Sequence, residues 1–369
     1  MAGKGHYIPA KAVNEQLVEL GVASQLVDVF DFLHCRFYGR INQWVWRRML
    51  AHSSLEKTLF PRLDKSKVGF AFVTKLCYAI SHRRLRKYIE AEKPDFFFAT
   101  HPYAGAMLAS IVHRLGMNVP VLFYSTDVFS APVVSISPYL YRFYLPTEEG
   151  IERVKAMGQP PESLALCPFP LQSSVAQTSR LGKAEARRKL DLDEDMFTIQ
   201  LNLGGEGLGS LKLLEELLRR NLPVQIVILG GIKDHVRSHI EDVVGRQHST
   251  AAKVQIRGFV SNVDEYLAAS DIIVGRAGIN TIVEAIAAHR PFMITELVYI
   301  VIASAEYIEK YKVGWNTEGD TQRQIGIIED LIANPQKLDQ MEEAFAAVPL
   351  VYSAKGLAEQ VIRDVEAFK

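Results

Sequence analysis

A chain of 369 residues is longer than one hydrophobic core usually organises, so two domains are predicted. Basic and acidic residues number 42 each and 48% of the chain is hydrophobic, which excludes a disordered chain and a globally basic nucleic-acid binder. The three cysteines, Cys35, Cys77 and Cys167, are too scattered for a disulfide framework or a cysteine zinc site, and point to a reducing cytoplasm. No apolar run approaches the roughly 20 residues of a spanning helix, and the opening residues lack a signal-peptide pattern, so any membrane contact is predicted to be peripheral.

Along the chain, short β-branched or aromatic runs alternate with helical periods, the pattern of parallel βαβ units and an α/β fold. The opening Gly3-Lys4-Gly5-His6 reads as a first strand-to-helix turn. The strand that should precede Gly3 would lie centrally in a parallel sheet, so the recorded start is predicted to lie downstream of the native one. Strands are predicted near Ser24 to Val29, at Asp95 to Thr100, at Val119 to Tyr124 and near Tyr141 to Leu145, with a helix from Ala104 to Leu115. His101 stands at the C-terminal end of one of these strands, the edge where open α/β sheets bind ligands, and reads equally as a ligand-facing or a capping residue.

Between Asp31 and Glu90 the composition shifts to thirteen basic residues against four acidic ones. Trp44, Trp46, Phe60, Phe70 and Phe72 are interleaved with bases that include Arg47, Arg48, Arg83, Arg84 and Arg86. Such a mixture suits a segment lying on anionic lipid headgroups, and equally a solvated helical face over core aromatics.

The polar stretch 172–195 has no strand pattern and is predicted to be a linker. Beyond it, strands are predicted at Thr198 to Leu203, Val224 to Leu229, Val254 to Gly258, Asp271 to Val274 and Phe292 to Ile294, and residues 335–369 read as helical, able to pack back across the first domain. Two glycine-containing turns follow strands here, Gly204-Gly205-Glu206-Gly207-Leu208-Gly209-Ser210 and Gly275-Arg276-Ala277-Gly278-Ile279-Asn280-Thr281. One alone would read as well as a tight βα turn. Two in one domain point to backbone N–H groups and helix N-termini around a pyrophosphate, with Glu284 one helical turn further on, placed to accept hydrogen bonds from ribose hydroxyls.

The run from Leu203 to Asn316, with GGEGLGS, RGFVSNVDEYLAASD and GRAGINTIVEAIAAHRP, closely resembles the second domain of GT-B glycosyltransferases, above all monogalactosyldiacylglycerol synthases and processive diacylglycerol glucosyltransferases. The first-half motifs Gly3-Lys4-Gly5-His6, Pro94-Asp95 through Thr100-His101-Pro102, and Ser125-Thr126-Asp127 agree with it. The resemblance implies two Rossmann-like domains with parallel sheets facing across a cleft. Residues 1–171 would bind acceptor and membrane, 196–347 the nucleotide-sugar, and 348–369 would return to the first domain. It also implies an inverting transfer from a UDP-sugar to a lipid acceptor, diacylglycerol by preference, at an anionic membrane surface, with neither metal nor further cofactor and no nucleic acid as partner. Glu284 would hold the ribose and the turn at Phe259 the uracil. Gly204, Gly205, Glu206, Gly207, Gly278, Asn280 and Thr281 would surround the diphosphate.

Inversion by single displacement needs a base for the acceptor hydroxyl. His6 fits that role, with Asp127 orienting it or serving as base itself. The sequence departs from its relatives at Ser130-Ala131-Pro132-Val133, where they continue to His-Pro and Trp, and at Ile302, Ala303 and Glu306, where they carry a Gln-Glu pair and a following Asn. A non-catalytic relative that binds nucleotide or lipid, and a UDP-sugar epimerase, remain alternative readings of these motifs.

Overall fold

A strand covered on both faces by helices must be a continuous apolar run, and the strands of this chain are built that way. The computed structural model describes residues 4–37, 39–41, 44, 67–171, 181–203, 210–246, 251–276, 278–296 and 302–369. The chain divides into two units, Met1–Gln172 with Pro349–Lys369, and Ser173–Val348.

The first unit runs through helix α1 (Lys4–Glu19), a helical turn at Val29–Phe32, α2 (Lys67–Glu92), β1 (Phe97–Ala99), α3 (Pro102–Arg114), β2 (Val121–Tyr124), β3 (Arg142–Leu145), α4 (Glu148–Ala156) and β4 (Leu164–Leu166). Its strands form a parallel sheet in the order β1-β2-β3-β4. The predicted strand near Ser24 to Val29 does not form. The Asp28 carboxylate accepts the N–H groups of Phe30 and Asp31 instead and caps a helical turn, a local bond that wins over sheet pairing.

The second unit comprises α5 (Lys183–Lys189), β5 (Phe197–Asn202), α6 (Ser210–Arg220), β6 (Val224–Leu229), α7 (Asp234–Gly245), β7 (Lys253–Gly258), α8 (Val263–Ala269), β8 (Ile272–Gly275), α9 (Ile279–Ala287), β9 (Phe292–Ile294), α10 (Ile302–Tyr311), β10 (Gly314–Asn316) and α11 (Thr321–Ala333). Its parallel sheet has the order β10-β9-β8-β5-β6-β7. Amphipathic α6 buries Leu213, Leu214, Leu217 and Leu218 against Ile199, Leu201, Ile226 and Ile228 of that sheet. Within the stretch read as a linker, Lys183–Lys189 is helical because its charges are used. Buried Arg187 donates to Asp271 at 2.7 Å and to the carbonyls of Ala269 and Glu194. Lys183 reaches Asp271 Oδ1, while Oδ2, which takes Arg187, also accepts the Thr198 N–H.

Residues 335–369 are helical in pieces, and the last, α12 (Ala354–Phe368), packs on α1 within the first unit. Its anchor is Asp364, 5% exposed, which accepts hydrogen bonds from Arg142 Nε and the Tyr144 hydroxyl, both at 2.8 Å, and from Gln360. Among the described residues no helix is long and apolar enough to cross a membrane.

Removing the Asp364 carboxylate strands a buried phenol and a guanidinium without their acceptor. Asp364→Ala is expected to destabilise the first unit by about 2–3 kcal/mol in denaturant unfolding. A change below about 0.5 kcal/mol would show that α12 is not held by this carboxylate.

Candidate functional site

The second sheet reverses direction between β5 and β8, since the chain builds β5, β6 and β7 to one side and β8, β9 and β10 to the other. Connections leaving the carboxyl ends of β5 and β8 therefore pass to opposite faces of the sheet, and a crevice opens between them. The first glycine turn, with Gly204, Gly205, Glu206 and Gly207, lies outside the described residues, between Leu203 and Ser210.

The second turn shows how the crevice is kept open. A Cβ on Gly275 would lie 2.7 Å from the Asn202 carbonyl oxygen, so only glycine lets the ends of β5 and β8 approach. Gly278 is the N-cap of α9 and supplies no side-chain cap. Among the described residues, a Cβ there would meet nothing closer than Thr281 Oγ1 at 3.6 Å. The first N–H groups of α9, at Ile279, Asn280 and Thr281, thus point at the crevice with the positive end of the helix dipole behind them.

Two polar atoms at this edge, Asn280 Oδ1 and, at the end of β5, Asn202 Nδ2, are buried without a hydrogen bond among the described residues. Buried groups in that state are uncommon, and at a sheet edge they mark a place where a ligand can supply the missing bonds. The Glu284 carboxylate, one turn along α9, makes no hydrogen bond or ion pair among the described residues, and desolvation pushes it up to about 7. At the ends of β6 and β7, Gly230 and Gly258 adopt left-handed conformations (φ +108° and +74°) and Gly230 N–H donates to Gly258 O at 2.8 Å. Phe259 follows, 68% exposed, its ring against Gly231, where a Cβ would come within 2.5 Å of it.

In the first unit a second cluster gathers around His6. It lies in the first turn of α1, not at the end of a strand. Its Nδ1 is 3.1 Å from the Thr100 carbonyl oxygen and 2.7 Å from Thr126 Oγ1, while Thr100 Oγ1 donates to the His6 carbonyl. The His101 ring meets it edge-on at 4.9 Å, with Phe30 beyond. Burial lowers the His6 pKa to about 4, and burial with the neighbouring His6 lowers His101 to about 3, so both rings are neutral. His101 is the N-cap residue of α3 but makes no capping bond, and its Nδ1 has no partner, which corrects the capping reading. Asp127 follows Thr126 in the loop after β2, where its carbonyl accepts from Ser125 Oγ and Ser130 N–H. The groups on His6 Nδ1 are thus Thr126 and Thr100, which stand in the sequence motifs without an assigned role.

Of the basic segment, Trp46, Arg47 and Arg48 lie outside the described residues; Trp44 is 61% exposed. On α2 the outer face carries Phe72, Leu76 and Ile80 at helical spacing, all exposed, followed by Arg83 and Arg84. Arg86 differs from them: its guanidinium donates to the Leu115 carbonyl and caps the end of α3. Ile302 and Glu306 are exposed on α10 and Ala303 is half-buried.

Residues 210–355 match the glycosyltransferase family 28 C-terminal domain. The chain is 26% identical over 263 residues to a probable chloroplastic monogalactosyldiacylglycerol synthase 2 of rice (Oryza sativa subsp. indica), covering 69% of this chain and 55% of that protein. Thus the chain spans about half the length of that relative. It is 24% identical to the processive diacylglycerol beta-glucosyltransferase of Staphylococcus saprophyticus, covering 98% of this chain and 90% of the relative. Among solved structures, the S. aureus MnaA complex with UDP superposes with a TM-score of 0.59 at 14% identity over 79% of each chain. The two parallel sheets are those of the GT-B fold, and over residues 210–355 the chain is similar to the glycosyltransferase family 28 C-terminal domain.

Proposed function

We propose that this protein is an inverting glycosyltransferase that moves a hexose from a UDP-sugar to the hydroxyl of a lipid, diacylglycerol by preference, at an anionic membrane surface. The observation that carries the reading is the edge of the second sheet, which gathers the N-terminus of α9 with no side-chain cap, Asn280 Oδ1 and Asn202 Nδ2, both buried and without a partner among the described residues, and the half-buried Glu284. An N-terminus suits a diphosphate, and a carboxylate one turn on suits the two hydroxyls of a ribose. The names of the rice and staphylococcal relatives support the acceptor class.

In this reading the acceptor oxygen attacks the anomeric carbon, the bond from that carbon to the diphosphate breaks, and the acceptor proton passes to His6. The departing UDP carries its charge onto the first N–H groups of α9, so the chemistry asks for no metal. The exposed Phe72, Leu76 and Ile80 with Arg83 and Arg84 support contact with an anionic bilayer, apolar side chains entering the interface and bases meeting headgroups.

The direct test incubates the protein with UDP-glucose or UDP-galactose and diacylglycerol in anionic vesicles and analyses the lipids. Glycosyl-diacylglycerol is expected, with its yield falling at least about 100-fold in His6→Asn. Lipids left unchanged by every UDP-sugar, or sugar altered without transfer, would reject the reading.

Glu284 gives a second test through pH. Its folded pKa of about 7 lies above the ordinary 4.5, so the folded protein holds the extra proton between those values. Its contribution therefore weakens the fold as pH rises from about 4.5 to about 7. Glu284→Gln is expected to melt several degrees above wild type at pH 8 but level with it at pH 4.5, and to lose most of the stabilisation that UDP gives wild type. Equal offsets at both pH values, with UDP stabilisation intact, would remove Glu284 from the ribose role.

A further inference from the structure

The two oxygens on His6 Nδ1 are chemically unequal. The Thr100 carbonyl, at 3.1 Å, can only accept a hydrogen bond, whereas the Thr126 hydroxyl, at 2.7 Å, can accept or donate. If Nδ1 carried a lone pair, that lone pair would face the carbonyl oxygen and repel it. With the proton on Nδ1 both contacts are favourable, one N–H shared between two acceptors. The opposite nitrogen, Nε2, then keeps its lone pair. Thr126 is 2% exposed and Thr100 8%, and Thr100 also donates to the His6 carbonyl, so backbone and ring of His6 are held from the same side.

The geometry points to Thr126 as the positioning residue of His6, its hydroxyl oxygen helping the Thr100 carbonyl to hold the imidazole in the Nδ1–H form with Nε2 free to take a proton. The inference rests on the proposed role of His6 and adds to it the means by which the ring is oriented. In many proteins a carboxylate occupies this position on a histidine and favours its charged form. A hydroxyl and a carbonyl orient the ring without adding charge, and the ring around them is otherwise met by His101, itself neutral, with Asp28 further off. The imidazole is thereby kept unprotonated until the acceptor proton arrives.

Thr126→Val keeps the shape of the side chain and removes the oxygen; Thr126→Ser keeps the oxygen and removes the methyl. With histidine labelled in nitrogen-15, His6 in the wild type is expected to show the Nδ1–H tautomer by long-range nitrogen–proton correlation. In Thr126→Val the signal is expected to become a mixture of tautomers, with kcat for lipid glycosylation down about 10- to 100-fold, the scale of a misplaced catalytic group, and KM for the UDP-sugar within about twofold. Thr126→Ser is expected to restore a single tautomer and kcat to within about threefold of wild type. A wild-type His6 in the Nε2–H form, or Thr126→Val with unchanged tautomer and kcat, would overturn the inference. Full activity in His6→Asn would instead remove the base role of His6, an outcome the tautomer spectrum does not depend on.

Discussion

The reversal of strand order between β5 and β8 is the constraint on which the second unit turns. Parallel strands need crossover helices on the sheet faces, and right-handed crossovers that wind outward in both directions from one strand pair must leave a gap between the first turns of each. The gap can remain polar only if the two strand ends approach closely, which Gly275 permits by carrying no Cβ against the Asn202 carbonyl. Behind Gly278, α9 has no side-chain cap among the described residues. In the proposed reading, the features that leave Asn202 Nδ2, Asn280 Oδ1 and the Glu284 carboxylate without partners among the described residues, and that cost stability in the unliganded protein, would give a diphosphate and a ribose their contacts.

In the first unit the requirement is different. A base must stay neutral, keep one nitrogen free and not wander. In the proposed reading His6 would meet the first through burial, while Thr100 and Thr126, 94 and 120 positions away in sequence, would answer the other two. Asp364 does similar work for the unit as a whole, tying the C-terminal helix to β3 through Arg142 and Tyr144.

Most of the second sheet was legible because its strands are unbroken apolar runs between turns. Val224–Leu229 and Phe292–Ile294 stand where the runs place them. β10 was missed because Gly314-Trp315-Asn316 has no such run; Gly314 is there because a Cβ would come within 2.1 Å of the Phe292 carbonyl oxygen. Lys183–Lys189 read as linker because its charges look solvated, yet Arg187 spends its charge on buried Asp271. Ser24 to Val29 carries the β-branched and apolar Leu26, Val27 and Val29, and a single carboxylate, Asp28, redirects it. The glycine turn at the end of β8 could be placed from its spacing. Thr126 could not, since only the fold brings its hydroxyl to His6, and Arg86 is indistinguishable in sequence from Arg83 and Arg84, although it alone of the three caps a helix.

The most direct test of a nucleotide-sugar site at the β5–β8 edge is a crystal structure of the protein with UDP. The account predicts the ribose hydroxyls within hydrogen-bond distance of Glu284, the diphosphate at the N-terminus of α9 beside Asn280, and the uracil at the Gly258–Phe259 turn. UDP bound elsewhere, with Glu284 and the first N–H groups of α9 left untouched, would contradict it.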